Sequence, residues 1–247
     1  MGTIFCGGRK KEKVPTRFIG DVHGKFGRYK TILNSPHKTI QVGDLGVGFR
    51  SHVTGGWTSN PPFDTMVEKD ARFIRGNHDN PECCRQHKRW IPDGQVEDNM
   101  MFIGGALSID RAMRVEGYSW WPDEELSRDE LNRMIDIYEH ARPEIMVTHE
   151  CPESIAAMIV AGMRDLRSGS AMKMDPRFAS RTRMAFEAMR QHRSFRPKLW
   201  LFGHWHLPFD RVVDGTRFIC LPELACLDVD TEKAEVVGEL MPARERW

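Results

Sequence analysis

The sequence predicts an α/β fold, and three observations carry that expectation. Five short β-prone runs each lead directly into a cluster of Gly, Asp, His or Asn: TRFIGDVHG (16–24), KTIQVGDLG (38–46), ARFIRGNHD (71–79), EIMVTHE (144–150) and KLWLFGHWH (198–206). Stretches with helical spacing separate them, and strands alternating with helices build layered α/β sheets. All five polar clusters fall at the carboxyl ends of their strands, the side on which such sheets bind ligands.

Taken in order, the helical candidates are KFGRYKTILN, PPFDTMVEKD, PECCRQHKRW, SRDELNRMIDIYEHA and RFASRTRMAFEAMRQHR. The fourth has the clearest start. Ser127 followed by Glu130 is a capping box, and Leu131, Met134, Ile135 and Tyr138 then recur at helical spacing. The segment RFICLPELACLDVDTEKAEVVGEL supplies further strands, with Asp214 and Gly215 as a turn ahead of it. No repeat or low-complexity tract interrupts, and 247 residues, 40% of them hydrophobic, suffice for one domain spanning 1–247 with its motif core at 16–210.

Lys+Arg 36 against Asp+Glu 35 leaves a formal charge of +1, so the overall balance points to neither nucleic acid nor an anionic membrane surface as a partner. The six cysteines (Cys6, Cys83, Cys84, Cys151, Cys220, Cys226) contain no CxxC, which argues against both a disulfide framework and a thiolate zinc site. The N-terminus MGTIFCGGRKKEKVP lacks the apolar stretch of a signal peptide, and no run reaches the roughly eighteen apolar residues of a membrane span. Together with reduced thiols, these features give the expectation of a soluble cytoplasmic protein. Gly2 invites N-myristoylation, but Cys6 stands where that motif wants Ser or Thr.

The strand-end clusters contain Asp21, His23, Asp44, Asn77, His78, His149, His204 and His206. In extended chain, residues i and i+2 point to the same side, so Asp21 with His23 and His204 with His206 each read as a pincer. Imidazole and carboxylate donors without thiolate suit Mn, Fe, Zn, Co or Ni. Excluding His78, seven candidate ligands exceed what one ion with an open position takes, and two ions sharing a bridging carboxylate is the economical arrangement. Taken singly, a strand-end His is more often a hydrogen-bonded structural residue and a lone GD a turn, so the weight lies in the set.

The order GDVHG, GDLG, GNHD, THE, GHWH resembles the signature D-x-H, G-D, G-N-H-[DE], H, G-H-x-H of the calcineurin-like metallophosphoesterase superfamily, over residues 16 to 210. The resemblance implies a four-layer α-β-β-α sandwich, two mixed sheets flanked by helices, carrying a dinuclear centre that hydrolyses phosphate mono- or diesters. Carried over by position, Asp21, His23 and His206 hold one divalent transition-metal ion and Asn77, His149 and His204 the other, with Asp44 bridging. Mn is favoured, with Fe, Zn, Ni and Co open. His78 reaches the substrate phosphate or leaving group, Asp79 orients it, and Asn77 is assigned to substrate as well as metal. Two divalent ions against two aspartates leave net positive charge for a phosphate, and Glu150 is a candidate to orient the neighbouring His149.

The protein phosphatases of that superfamily extend the second motif to GDxxDRG, whereas this chain reads GDLGVGFRS. A small nucleotide-type or diester substrate is therefore expected, with a serine/threonine-type phosphoprotein phosphatase and a non-catalytic metal-binding scaffold as alternatives. The loop Gly46 to Asn60 is either a mobile rim or plain surface. The stretch GGALSIDRAMRVEGYSWWPDEELS (104–127) resembles a segment of small bacterial and phage members of the superfamily. Within it Arg111 is a candidate phosphate ligand, or a salt-bridge partner of Asp110 or Glu116, and Trp120 and Trp121 either wall the cleft or pack in the core. Between residues 161 and 183, Arg164, Arg167, Lys173, Arg177, Arg181 and Arg183 either favour an extended anionic substrate such as a nucleotide or oligonucleotide, or form a solvated face balanced by Asp165, Asp175 and Glu187.

Overall fold

The computed structural model describes residues 14–50, 56, 60–163 and 179–242. In its first part, β1 (Thr16–Ile19), α1 (Phe26–Leu33), β2 (Thr39–Gln41), α2 (Phe63–Glu68), β3 (Ala71–Phe73) and α3 (Pro81–Arg85) alternate. Then come β4 (Val96–Glu97), β5 (Met100–Ile103), a 3-10 turn (Arg111–Met113), α4 (Arg128–Ala141), β6 (Ile145–Thr148), α5 (Glu153–Gly162), α6 (Arg181–Arg190) and β7 (Leu199–Phe202). The strands β8 (Phe209–Val213), β9 (Thr216–Cys220), β10 (Cys226–Asp230) and β11 (Glu235–Met241) follow.

Two mixed sheets result, in the orders β11-β10-β1-β2-β3 and β4-β5-β6-β7-β9-β8. Strands β1, β2 and β3 are parallel, as are β5, β6, β7 and β9, with antiparallel strands at the margins. Side-chain alternation along the buried strands builds the layers. Leu199 and Leu201 of β7 join Phe18, Ile40, Phe102, Val147 and Leu227 in the core between the sheets. Trp200 and Phe202, one residue out of phase, face Tyr138, Ile155 and Phe186 of α4, α5 and α6. On the opposite outer surface, Ile19 and Phe73 pack with Tyr29, Leu33, Met66 and Cys84 of α1, α2 and α3. The four-layer α-β-β-α sandwich is thus present, with both sheets sharing one core.

The capping box of α4 forms, with Ser127 N–H donating to Glu130 Oε2 at 2.8 Å and Glu130 N–H donating to Ser127 Oγ at 3.3 Å. Asp214 and Gly215 join β8 to β9 with φ of 49° and 87°, the left-handed pair that a two-residue hairpin requires. Helix α5 was not among the expected helices. Its sequence ESIAAMIVAG buries Ile155, Ala156, Ile159 and Val160 and has almost no polar face from which a period can be read. Strands β4, β5 and β8 were likewise not expected. Among the described residues no helix is long and apolar enough to cross a membrane.

Candidate metal centre

The carboxyl ends of β1, β2, β3, β6 and β7 converge at one edge of the sandwich. His149 Nδ1, after β6, donates to the carbonyl of Val42, after β2, at 2.9 Å, so one hydrogen bond links the two sheets there. The strands end at Ile19 and Phe202, before the ligand candidates begin. His23, Asp44, His204 and His206 all have left-handed backbone, with φ of 47°, 60°, 66° and 54°. Of the two expected i, i+2 pincers, Asp21 and His23 do converge, through a turn rather than extended chain, whereas His204 and His206 part, because alternation holds only in extended chain and turns aim these side chains instead. Left-handed backbone costs about 1–2 kcal/mol per non-glycine residue, which the tightly bonded surroundings must offset. Close packing at the turns also needs bare α-carbons. A Cβ at Gly76 would overlap the Asp44 carboxylate, and one at Gly203 the Asp21 carboxylate.

Two donor clusters result. In the first, His206 Nε2 lies 2.8 Å from Asp21 Oδ2 and 2.8 Å from His23 Nε2, and His23 Nε2 is 3.7 Å from both Asp21 Oδ2 and Asp44 Oδ2. In the second, Asn77 Oδ1 lies 3.0 Å from His149 Nε2 and 2.9 Å from His204 Nδ1, while His149 Nε2 is 3.3 Å from Asp44 Oδ1. Asp44 turns one oxygen to each cluster. His204 and His206, two positions apart in sequence, fall in different clusters.

The donor chemistry fits cations at both places. Asn77 Nδ2 donates to Ser108 Oγ at 2.9 Å, so its carbonyl oxygen faces the cluster. His149 uses Nδ1 on Val42, which aims Nε2 at two oxygens that are themselves acceptors. In the bare protein this convergence calls for a proton: burial alone would push the His149 imidazole down, but Asp44 and Asp21 override it and hold it up at about 10. Burial likewise opposes ionisation of Asp44, yet His149, His78 and His23 hold its carboxyl well below the usual range. Divalent ions satisfy the same demand.

His78, half-buried, stands beside this centre, its ring centroid 4.9 Å from that of His23 and its backbone N–H donating to Asp44 Oδ1 at 2.7 Å. Burial lowers its pKa to about 4 against the pull of Asp44. Asp79 does not orient it. That carboxylate accepts the amides of Leu45, Gly46, Val47 and Gly76 at 2.7–3.1 Å and so binds the GDLG loop to the GNHD turn. Glu150 faces His204 (Oε2 to Nε2, 3.6 Å) rather than His149, backed by Trp205 Nε1–H at 2.7 Å and Arg183 at 3.4 Å.

Arg111 is exposed in the 3-10 turn, and it is Arg114 that stands beside His78. Arg114 pairs with Asp110 at 2.6 and 2.7 Å, and its Nη2 lies 2.9 Å from His78 Nε2. The Asp110 to Arg114 spacing is the only sequence trace of this, and without a helix it defined no face. Trp121 is buried and packs edge-on against Phe49 at 5.2 Å, while Phe49 lies nearly parallel to His78 at 5.9 Å. A cleft of ≈ 490 Å³ opens here, its walls including His23, Phe26, Phe49, Asn60 and His78. Of the basic insertion, Arg181 donates to the Leu126 carbonyl and Arg183 pairs with Glu150 and Glu153, so both are spent on structure. Arg164, Arg167, Lys173 and Arg177, most of the loop between Gly46 and Asn60, and Gly2 and Cys6 lie outside the described residues.

Residues 14–208 match the calcineurin-like phosphoesterase family, and the chain belongs to it. No curated protein matches it in sequence. Among solved structures it is similar to a Staphylococcus aureus protein assigned as a 5′-nucleotidase (13% identity, 94% of this chain and 54% of that one, TM-score 0.48). This chain therefore spans about half the length of that one. It is also similar to an anchor protein of the inner membrane complex of Plasmodium (11%, 95% and 90%, TM-score 0.49). An archaeal phosphodiesterase resembles it at 13% identity, over 91% of this chain and 99% of that one, with TM-score 0.38.

Proposed function

We propose that this chain is a metal-dependent phosphoesterase acting on a small phosphate mono- or diester of nucleotide type. Asp21, His23, Asp44 and His206 hold one divalent transition-metal ion and Asp44, Asn77, His149 and His204 a second, Mn being the favoured metal. The observation that carries this reading is Asp44, whose two oxygens are divided between two donor clusters that otherwise share no side chain. When bound, such a pair of ions lowers the pKa of water and polarises a phosphoryl group. The chain's residues then bind and orient. His78, neutral near pH 7, has both ring nitrogens within 3.1 Å of Arg114 Nη2, and a neutral imidazole carries one N–H that a phosphoryl or leaving-group oxygen can take up in place of that contact. Arg114, held by Asp110, sets a guanidinium against His78, which supports a phosphate-facing role in a chain without the DRG arginine.

The shared core supports a single domain over 1–247, and the five free cysteines among the described residues support a reducing compartment such as the cytoplasm. The test is a hydrolysis screen with added Mn, Ni or Zn against phosphomonoesters, linear and cyclic nucleotide diesters and phosphopeptides. Turnover that chelation abolishes and metal restores is expected. A protein that retains both ions and turns over none of these is instead the metal-binding scaffold.

A further inference from the structure

The cleft at the metal centre has two unlike halves. His23 and His78 form its polar end, and two half-buried phenylalanines, Phe26 at the start of α1 and Phe49 after the GDLG turn, contribute its apolar wall. Phe49 is held on several sides. Trp121 meets its ring edge-on at 5.2 Å (76°), His78 lies nearly parallel at 5.9 Å (10°), and the Arg114 guanidinium carbon sits 5.9 Å from its ring centroid. A ring fixed in advance costs little ordering when a ligand arrives. A flat apolar surface beside a phosphate-binding end gains most from a planar π-faced group, and would leave the hydroxyls of a sugar or the amides of a peptide without partners.

We infer that Phe49, with Phe26, forms a subsite for a planar ring on the ester group, so that the substrate is a nucleoside or similar ring-bearing phosphate ester rather than a sugar phosphate or phosphopeptide. This rests on the phosphoesterase reading of the same site and names its substrate class. Stacking of a base on one aromatic side chain changes affinity about five- to a hundred-fold.

The test compares adenosine 5′-monophosphate with ribose 5-phosphate, which share the phosphate charge and the alkoxide leaving group and differ in the ring. With the metal-loaded protein, kcat/KM is expected to favour the nucleotide by tenfold or more, chiefly through KM. In Phe49→Leu, which keeps apolar bulk and loses the π face, that ratio falls to about one, with metal content and thermal midpoint as the control for fold. Equal rates for the two esters in the native protein, or a preference that survives both Phe49→Leu and Phe26→Leu, would overturn the inference. If neither ester is hydrolysed, adenosine binding decides it by calorimetry. Binding that Phe49→Leu weakens by fivefold or more upholds the subsite even where phosphoester hydrolysis fails, and no binding to the native protein sinks it.

Discussion

Arg114 Nη2 lies 2.9 Å from His78 Nε2 and 2.7 Å from Asp110 Oδ2, so one guanidinium nitrogen links the GNHD histidine to a carboxylate of the 104–127 segment. The guanidinium, its charge shared with Asp110, thus stands against His78, which with His23 lines the cleft. If a phosphate binds at His78, the neighbouring guanidinium is the nearest positive side chain to share it.

Arg114→Ala is therefore expected to lower kcat/KM by about ten- to a hundred-fold, the scale of a hydrogen bond to a charged group of ~1.5–3 kcal/mol. Inhibition by inorganic phosphate should weaken in parallel, with both metals retained. Arg111→Ala, at an exposed position, should stay within about twofold. Steady-state kinetics of the two variants decide between the arginines, and equal effects would remove the special role of Arg114.

Asp44 carries a different prediction. Its Oδ1 serves the second cluster and its Oδ2 the first, so Asp44→Asn should lower occupancy of both sites together. Metal analysis after dialysis should show a drop at both sites, with activity partly recovered in excess Mn. Loss of one ion alone would mean that Asp44 serves one cluster only.

The five strands that lead into the polar clusters and the donor set were legible in the sequence because both are written locally, whereas β4, β5 and β8, with no such cluster after them, were not. Apolar runs such as LWLF bury every residue and therefore read as strands, and the glycine-flanked Asp and His residues follow them directly. What it hid depends on how loops are folded. His23 and His206 meet at 2.8 Å across 183 positions through left-handed turns that the extended-chain rule does not describe. Arg114 reaches His78, and Phe49 reaches Trp121, through irregular segments without a period. Helix α5 escaped notice for the opposite reason, having an apolar sequence and no second face.

His78 and His206 should separate by mechanism. His206 contacts Asp21 and His23 inside a donor cluster, whereas His78 reaches that centre only through its backbone N–H and ring packing. His206→Ala should lose activity in a way that depends on metal concentration. His78→Ala should keep both ions and, if the negative charge of a bound phosphate ester raises the His78 pKa enough to protonate it, lose about a hundredfold or more on alkyl esters, with a smaller loss on p-nitrophenyl esters whose leaving group needs no proton. Equal losses on both ester types would make His78 a phosphate-positioning residue, and metal loss in that variant would count it among the ligands.

The support behind the second cluster is testable through pH. Glu187 on α6 accepts Ser154 N–H and Oγ–H of α5 at 3.0 and 2.7 Å, and Arg190 and Gln191 at 2.7 Å each. The pair α5 and α6 also carries Glu153 and Arg183, which back Glu150 where it faces His204. Burial would raise the Glu187 carboxyl, but the hydrogen bonds from Arg190, Ser154 and Gln191 outweigh it and bring its pKa to about 2. A carboxyl depressed on folding stabilises the protein above its unfolded value of 4.5 and loses that contribution as pH falls towards 2. Allowing for solvent screening, the contribution at pH 7 is about 2 kcal/mol. Glu187→Gln should thus be less stable than the native chain in urea at pH 7, and the gap should shrink by more than half at pH 3. A gap that stays constant between these two values would mean that the carboxylate's charge contributes nothing, and that Glu187 joins the two helices by neutral hydrogen bonding alone.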